Sequence, residues 1–142
     1  MKKSNKRNLF LSLLAVGILL TVILSVAVKD NGIVLDSEEK RRNYIESLEI
    51  SLSDEPPVVK NIVIPAEFSE VYERYNELQK EAGFDLWEYR GEYAVQYSYT
   101  ATGFTDDTVK VNLILYKESL IGGDIASTRL DGFMTGLLPK TD

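Results

Sequence analysis

The chain has 142 residues, with 16 basic and 22 acidic side chains and a formal charge of −6, and it contains neither cysteine nor histidine. Without cysteine there is no disulfide and no thiol nucleophile. Without histidine, Ser-His-Asp triads and catalytic zinc sites are excluded, together with the commonest general base and pH switch. The acidic balance argues for solubility and against nucleic acid as a partner.

Residues 1–8 form a basic arm holding Lys2, Lys3, Lys6 and Arg7, and the twenty residues 9–28 that follow carry no charge. A helix of that length at about 1.5 Å per residue spans ~30 Å, the thickness of a bilayer's hydrocarbon core. Cationic flanks stay on the cytoplasmic side. The expected arrangement is therefore a single-pass membrane anchor over 9–28, with the N-terminus cytoplasmic and the rest of the chain extracytoplasmic. The alternative is a cleaved secretory signal, with Ser25 and Ala27 as the small residues before the cut, which would release the domain. The run exceeds the ~7–15 residues of a secretory apolar core, which favours the anchor. No cysteine follows the run, so lipid attachment there is excluded.

Beyond residue 28 the charges stand at twelve basic against 22 acidic, a net −10. A stem at 29–35 leads into one domain at 36–142, enough chain for a single core. Asp36 with Glu39 reads as a capping box opening a short helix, its stripe formed by Tyr44, Ile45 and Leu48. Glu38, Lys40, Arg41 and Arg42 are expected in solvent. Ile50 and Leu52 alternate with polar neighbours, the period of a half-buried strand, and Pro56-Pro57 ends it. Residues 58–64 are apolar on both faces and predict a strand interior to a sheet. Pro65 closes it.

The clearest helix is predicted over 67–82, where Phe68, Val71, Tyr72, Tyr75, Leu78 and Ala82 share one face at 3.6 residues per turn. Gly83 supplies its left-handed stop. A single turn over 85–89 precedes an aromatic strand bearing Tyr93, Val95, Tyr97 and Tyr99. Val109, Val111, Leu113 and Leu115 mark the next strand, and residues 120–127 the last. Gly122-Gly123 inside that last strand signals a bulge or a close backbone approach. Residues 129–142 read as a loop or short helix. The predicted fold is α+β, a curved antiparallel sheet of four to five strands. The main amphipathic helix and the shorter N-terminal helix are expected packed on one face, the main helix against the odd-numbered positions of the meander.

Several fragments occur together that resemble a known family. They are Ile64-Pro65-Ala66-Glu67-Phe68, Val71-Tyr72, Tyr75-Asn76-Glu77-Leu78-Gln79-Lys80, Gly83-Phe84-Asp85-Leu86, Tyr89-Arg90-Gly91, Ile121-Gly122-Gly123-Asp124-Ile125 and Leu130-Asp131-Gly132-Phe133-Met134. Over about residues 44–137 the chain resembles domain of unknown function 4830, found in small bacterial proteins with one N-terminal membrane segment. The family pattern has Gly-Trp where this chain has Leu48-Glu49. The resemblance implies a topology and supplies no catalytic residue.

The candidate binding residues are Gly122, Gly123, Asp124, Asp131, Tyr97 and Tyr99. Gly122-Gly123-Asp124-Ile125 lacks the following acid of the GGDEF signature, and the chain is too short for that domain. It still offers a carboxylate where backbone can approach a ligand closely. The bland reading is a bulged strand whose Asp124 bonds to local backbone. Asp131 with Asp124 would supply the paired carboxylates of a hydrolase or a calcium site, yet Asp131-Gly132 is first of all a turn dipeptide. Asp106-Asp107 lacks the spacing of a calcium loop. Tyr97 and Tyr99 either form a stacking platform or lie half-buried under the main helix. Asn76 and Gln79 bond a partner or, more commonly, the neighbouring loop. No metal or other cofactor is implied. The functional expectation is a non-enzymatic binding or interaction module of the cell envelope, its partner an envelope protein or wall component. The alternative is a small carboxylate-dependent hydrolase or calcium-binding protein using Asp124 and Asp131.

Overall fold

The computed structural model describes residues 32–105 and 108–139. Among these no helix is long and apolar enough to cross a membrane. The basic arm, the expected span over 9–28, the first part of the stem and Asp106-Asp107 lie outside the described residues.

The chain enters through residues already tied to the sheet. Leu120 N donates to Ile33 O and Leu35 N to Glu118 O, each at 2.8 Å, around a bridge between Val34 and Ser119. The expected stem is thus bound into the domain from Ile33 on. Helix α1 spans Glu38–Glu46, and its cap is Ser37 rather than Asp36. In an extended conformation the Ser37 hydroxyl accepts from Lys40 N at 3.2 Å, while the Asp36 carboxylate reaches Lys40 Nζ instead. Arg41 and Arg42, expected in solvent, turn inward: their side chains are only 11% and 24% exposed. The strand expected at 50–53 contracts to one bridge, Leu52 to Ala101.

Strand β1 (Val58–Val63) precedes helix α2 (Glu70–Glu81), a 3₁₀ turn (Leu86–Tyr89), then β2 (Tyr93–Ala101), β3 (Val109–Tyr116), β4 (Ser119–Ser127) and a two-residue β5 (Met134–Thr135). Their spatial order is β1-β2-β3-β4-β5, with every neighbouring pair antiparallel. β1 is an edge, not the interior strand its two apolar faces suggested. β2 is flanked by β1 on one side and β3 on the other, and no described strand returns to cover β1.

α2 starts three residues later than its apolar spacing implies, because the Ser69 hydroxyl takes the cap by accepting from Tyr72 N. It ends with Gly83 at φ 87°, while Phe84 N reaches Gln79 O and Gly83 N reaches Lys80 O. That 6→1 and 5→2 pair satisfies the last carbonyls. β3 and β4 turn through Lys117 and Glu118, both at positive φ, as a tight hairpin requires.

The fold is α+β around a curved antiparallel sheet, as the sequence predicts. The two helices, however, divide between its faces instead of sharing one. Odd positions Tyr99, Val109, Val111, Leu113 and Leu115 pack with Ile45 and Leu48 of the α1 region. Ala94, Ile114 and Ile121 pack with Phe68, Tyr72 and Tyr75 of the α2 region. A sheet apolar at both parities exposes oil on two sides, and each side needs its own cover.

Candidate functional site

β4 carries Gly122-Gly123-Asp124 beneath α2, next to a register shift at Ile114 and Leu115 of β3. The two glycines serve close approach. A Cβ at Gly122 would sit 2.8 Å from Gln79 Oε1 and 3.1 Å from Leu86 Cδ2, and one at Gly123 would overlap the Asn112 carbonyl oxygen. Their absence lets Gln79, fully buried on α2, accept from Gly123 N at 2.7 Å. The Gln79 Nε2 amide has no hydrogen-bond partner among the described residues.

Asp124 is 5% exposed. Its Oδ2 accepts from the Tyr75 hydroxyl at 2.7 Å and its Oδ1 from Asn112 Nδ2 at 2.8 Å. Asn112 Oδ1 in turn accepts from Ser98 Oγ, and Gln96 Nε2 donates to Ser98 at 3.4 Å. The network therefore runs from β2 through β3 and β4 to α2. Burial pushes the Asp124 carboxyl up, and the bonds from Asn112 and Tyr75 oppose that rise. Burial, reinforced by the Asp124 charge, pushes Tyr75 far up, so its phenol donates and never serves as a base. Asp124 bonds side chains, not the local backbone expected of it. Both of its oxygens are engaged, which makes it a group that positions Tyr75 and Asn112.

Asp131 stands elsewhere. It is exposed in the turn between β4 and β5, paired with Arg129 at 3.1 and 3.2 Å. One carboxylate lies under a helix and the other on the surface, so the expected pair is not assembled. Among the described residues no group of three or more His, Cys, Asp or Glu could hold a metal ion.

Tyr97 and Tyr99 occupy the opposite face, under α1 rather than the main helix. The Arg41 guanidinium lies 4.1 Å from the centre of the Tyr97 ring and donates to the Tyr99 hydroxyl at 3.0 Å. The Tyr99 hydroxyl donates to Glu38 Oε2 at 2.9 Å. Burial and that carboxylate raise the Tyr99 phenol to about 12. Burial alone would raise Glu38, but the bonds from Tyr99 and Arg42 outweigh it and its carboxyl is held low. An arginine lid thus covers the supposed stacking platform. Asn76 and Gln79 bond within the chain: Asn76 Nδ2 donates to Asp85 Oδ1 and its Oδ1 accepts from Leu86 N, each at 2.8 Å.

Sequence reasoning missed an apolar concavity of about 290 Å³ lined by Ile50, Phe104, Ile125, Phe133, Thr135 and Leu138. Phe133 and Leu138 are exposed there, and the Phe104 and Phe133 ring centroids stand 6.2 Å apart. The apolar residues of the 129–142 tail were its signal, hidden because a loop has no period to read. Tyr75 and Asn112 were also missed as partners of Asp124. Asn112, a polar residue inside the apolar β3, was the visible clue. Fold and site together define a small α+β domain on an open antiparallel sheet, with a polar network buried under one helix. No family model, curated protein or solved structure matches the chain.

Proposed function

We propose that the protein is a membrane-tethered extracytoplasmic module that binds a component of the cell envelope without catalysing a reaction. It is tethered through 9–28 and related in kind to the domain of unknown function 4830 that it resembles. The observation carrying this reading is the contrast between its carboxylates and its accessible surface. Asp124 is committed to Tyr75 and Asn112, and Asp131 to Arg129. Among the described residues the apolar concavity beside Phe133 stays open to a ligand, while the other depressions, such as those beside Glu70 and Arg74 or Glu38 and Arg42, are lined by charged side chains. A concavity near the lower end of the ~300–1,000 Å³ range of ligand pockets, with few polar groups in it, suits an apolar side chain of a partner protein.

A photoreactive residue in place of Phe133, in the full chain in intact cells, tests this. Cross-linking to one protein from Phe133, with none from the exposed Glu81 position, is the expected result. Equal labelling from both positions, or from neither, overturns it.

A further inference from the structure

We infer that β1 is a self-pairing edge, through which two copies of this chain join their sheets into one about a two-fold axis at Asn61. The inference is independent of what occupies the concavity. β1 has β2 on one side and no strand of the described residues on the other. Val58, Val59 and Val63 are 54%, 53% and 51% exposed on it. Folded proteins usually blunt such an edge.

The backbone phase of this edge follows from its flanks. Ser53 N donates to Thr100 O and Ile64 N to Glu92 O, each at 2.9 Å, and Thr102 N donates to Ser51 O at 2.8 Å. The even-numbered residues of β2 therefore turn their amides toward β1. Val58, Lys60 and Ile62 stand opposite Ser98, Gln96 and Ala94, so they spend their backbone groups on β2. Val59, Asn61 and Val63 point theirs outward.

An antiparallel partner must set outward residues against outward residues, which leaves few registers. Centring on Lys60 opposes two like charges and sets Val63 against Pro57, which has no N–H. Centring on Ile62 sets Val59 against Pro65, with the same defect. Centring on Asn61 alone uses all three outward residues of both copies. Val59 then faces Val63 of the other copy, Asn61 faces Asn61, and Lys60 faces Ile62, exchanging about six backbone bonds. The opposite edge of the sheet, β5, is two residues long and offers little to a head-to-tail partner. Pairing β1 with β1 consumes both long edges and closes the assembly. A six-residue edge buries less than the ~1,200–2,000 Å² of a stable complex, so association is weak in dilute solution and grows with local concentration.

The chain's lack of cysteine makes a single introduced thiol unambiguous. Asn61→Cys in the full chain, oxidised in membranes from expressing cells, should form a disulfide-linked homodimer, since directly opposed Cα atoms stand ~5.5 Å apart. Lys60→Cys, whose counterpart is ~7–8 Å away on the diagonal, should cross-link at least about tenfold more slowly. Adding Val59→Lys with Val63→Lys to Asn61→Cys opposes like charges and should cut cross-linking at least about fivefold. Val59→Glu with Val63→Lys should restore it, an effect that general destabilisation would not produce. A monomeric Asn61→Cys protein, equal rates at positions 60 and 61, attachment to a different protein, or failure of the charge-swapped pair to recover would each overturn the inference.

Discussion

Asp124 is a carboxylate whose charge the fold tolerates at a cost. Because burial raises its pKa, the folded chain binds that proton more tightly than the unfolded chain. Its contribution to stability is full below the ordinary carboxylate range and is lost as pH rises through the folded value. Asp85 has the opposite sign: the bond from Asn76, with that from Trp87 N, holds it low, so its contribution exists above the ordinary range and is lost as pH falls. Subtracting the Asp124→Asn variant isolates the first group. In denaturant melts across pH, the variant should gain on the natural chain as pH rises from about 4 toward neutrality. A flat difference would contradict the burial argument. Tyr75→Phe leaves Asp124 Oδ2 buried without its donor and should cost about 1–3 kcal/mol in the same melts.

At the scale of elements, α1 is fastened by two arginines as well as by its short apolar stripe. Arg42 donates to Glu38 at 2.8 Å, to Ser53 O at 3.0 Å and to Glu55 O at 2.9 Å, pinning the segment that leads into β1. Arg42→Lys keeps the charge but cannot hold that fork. It should cost about 1–3 kcal/mol and speed amide exchange around Ser53, with the exchange of α2 unchanged. These arginines were illegible in the sequence because charge at a nine-residue helix reads as solvent, and nothing local announces a tyrosine 58 residues away. α2 was legible in its period, its Gly83 stop and its tyrosine face. Its deepest side chains, though, are Asn76 and Gln79, while Val71 of the apolar stripe is 69% exposed. Periodicity gives the direction of a face but not its width. For β1, apolar residues at both parities describe an interior strand and a sticky edge equally well, so only the strand order separates them.

For the whole molecule, division of the helices between two faces explains why Asp124 and the tyrosine pair never form one site. Tyr97 and Tyr99 belong to the α1 layer and Asp124 to the α2 layer, with the sheet between them. Asp124→Asn combined with Asp131→Asn should therefore leave thermal stability equally insensitive to added calcium in both proteins. A calcium-dependent rise in Tm in the natural chain, lost in the double variant, would revive a shared carboxylate site. The class of fold and the β2-β3-β4 meander were readable from hydrophobic period and turn chemistry, but the edge position of β1 was not. The candidate site was readable residue by residue but not as a constellation, because facing across a sheet depends on which helix lands on which side.

The short tie between Ile33, Leu35 and the Lys117-Glu118 hairpin has a mechanical consequence. Tension drawn along the chain from its N-terminal side meets two backbone bonds, to Glu118 of the turn and to Leu120 at the start of β4, before it reaches α1. Under such a load those two bonds should act as a fuse, and single-molecule pulling should show them yielding before the layered core behind them.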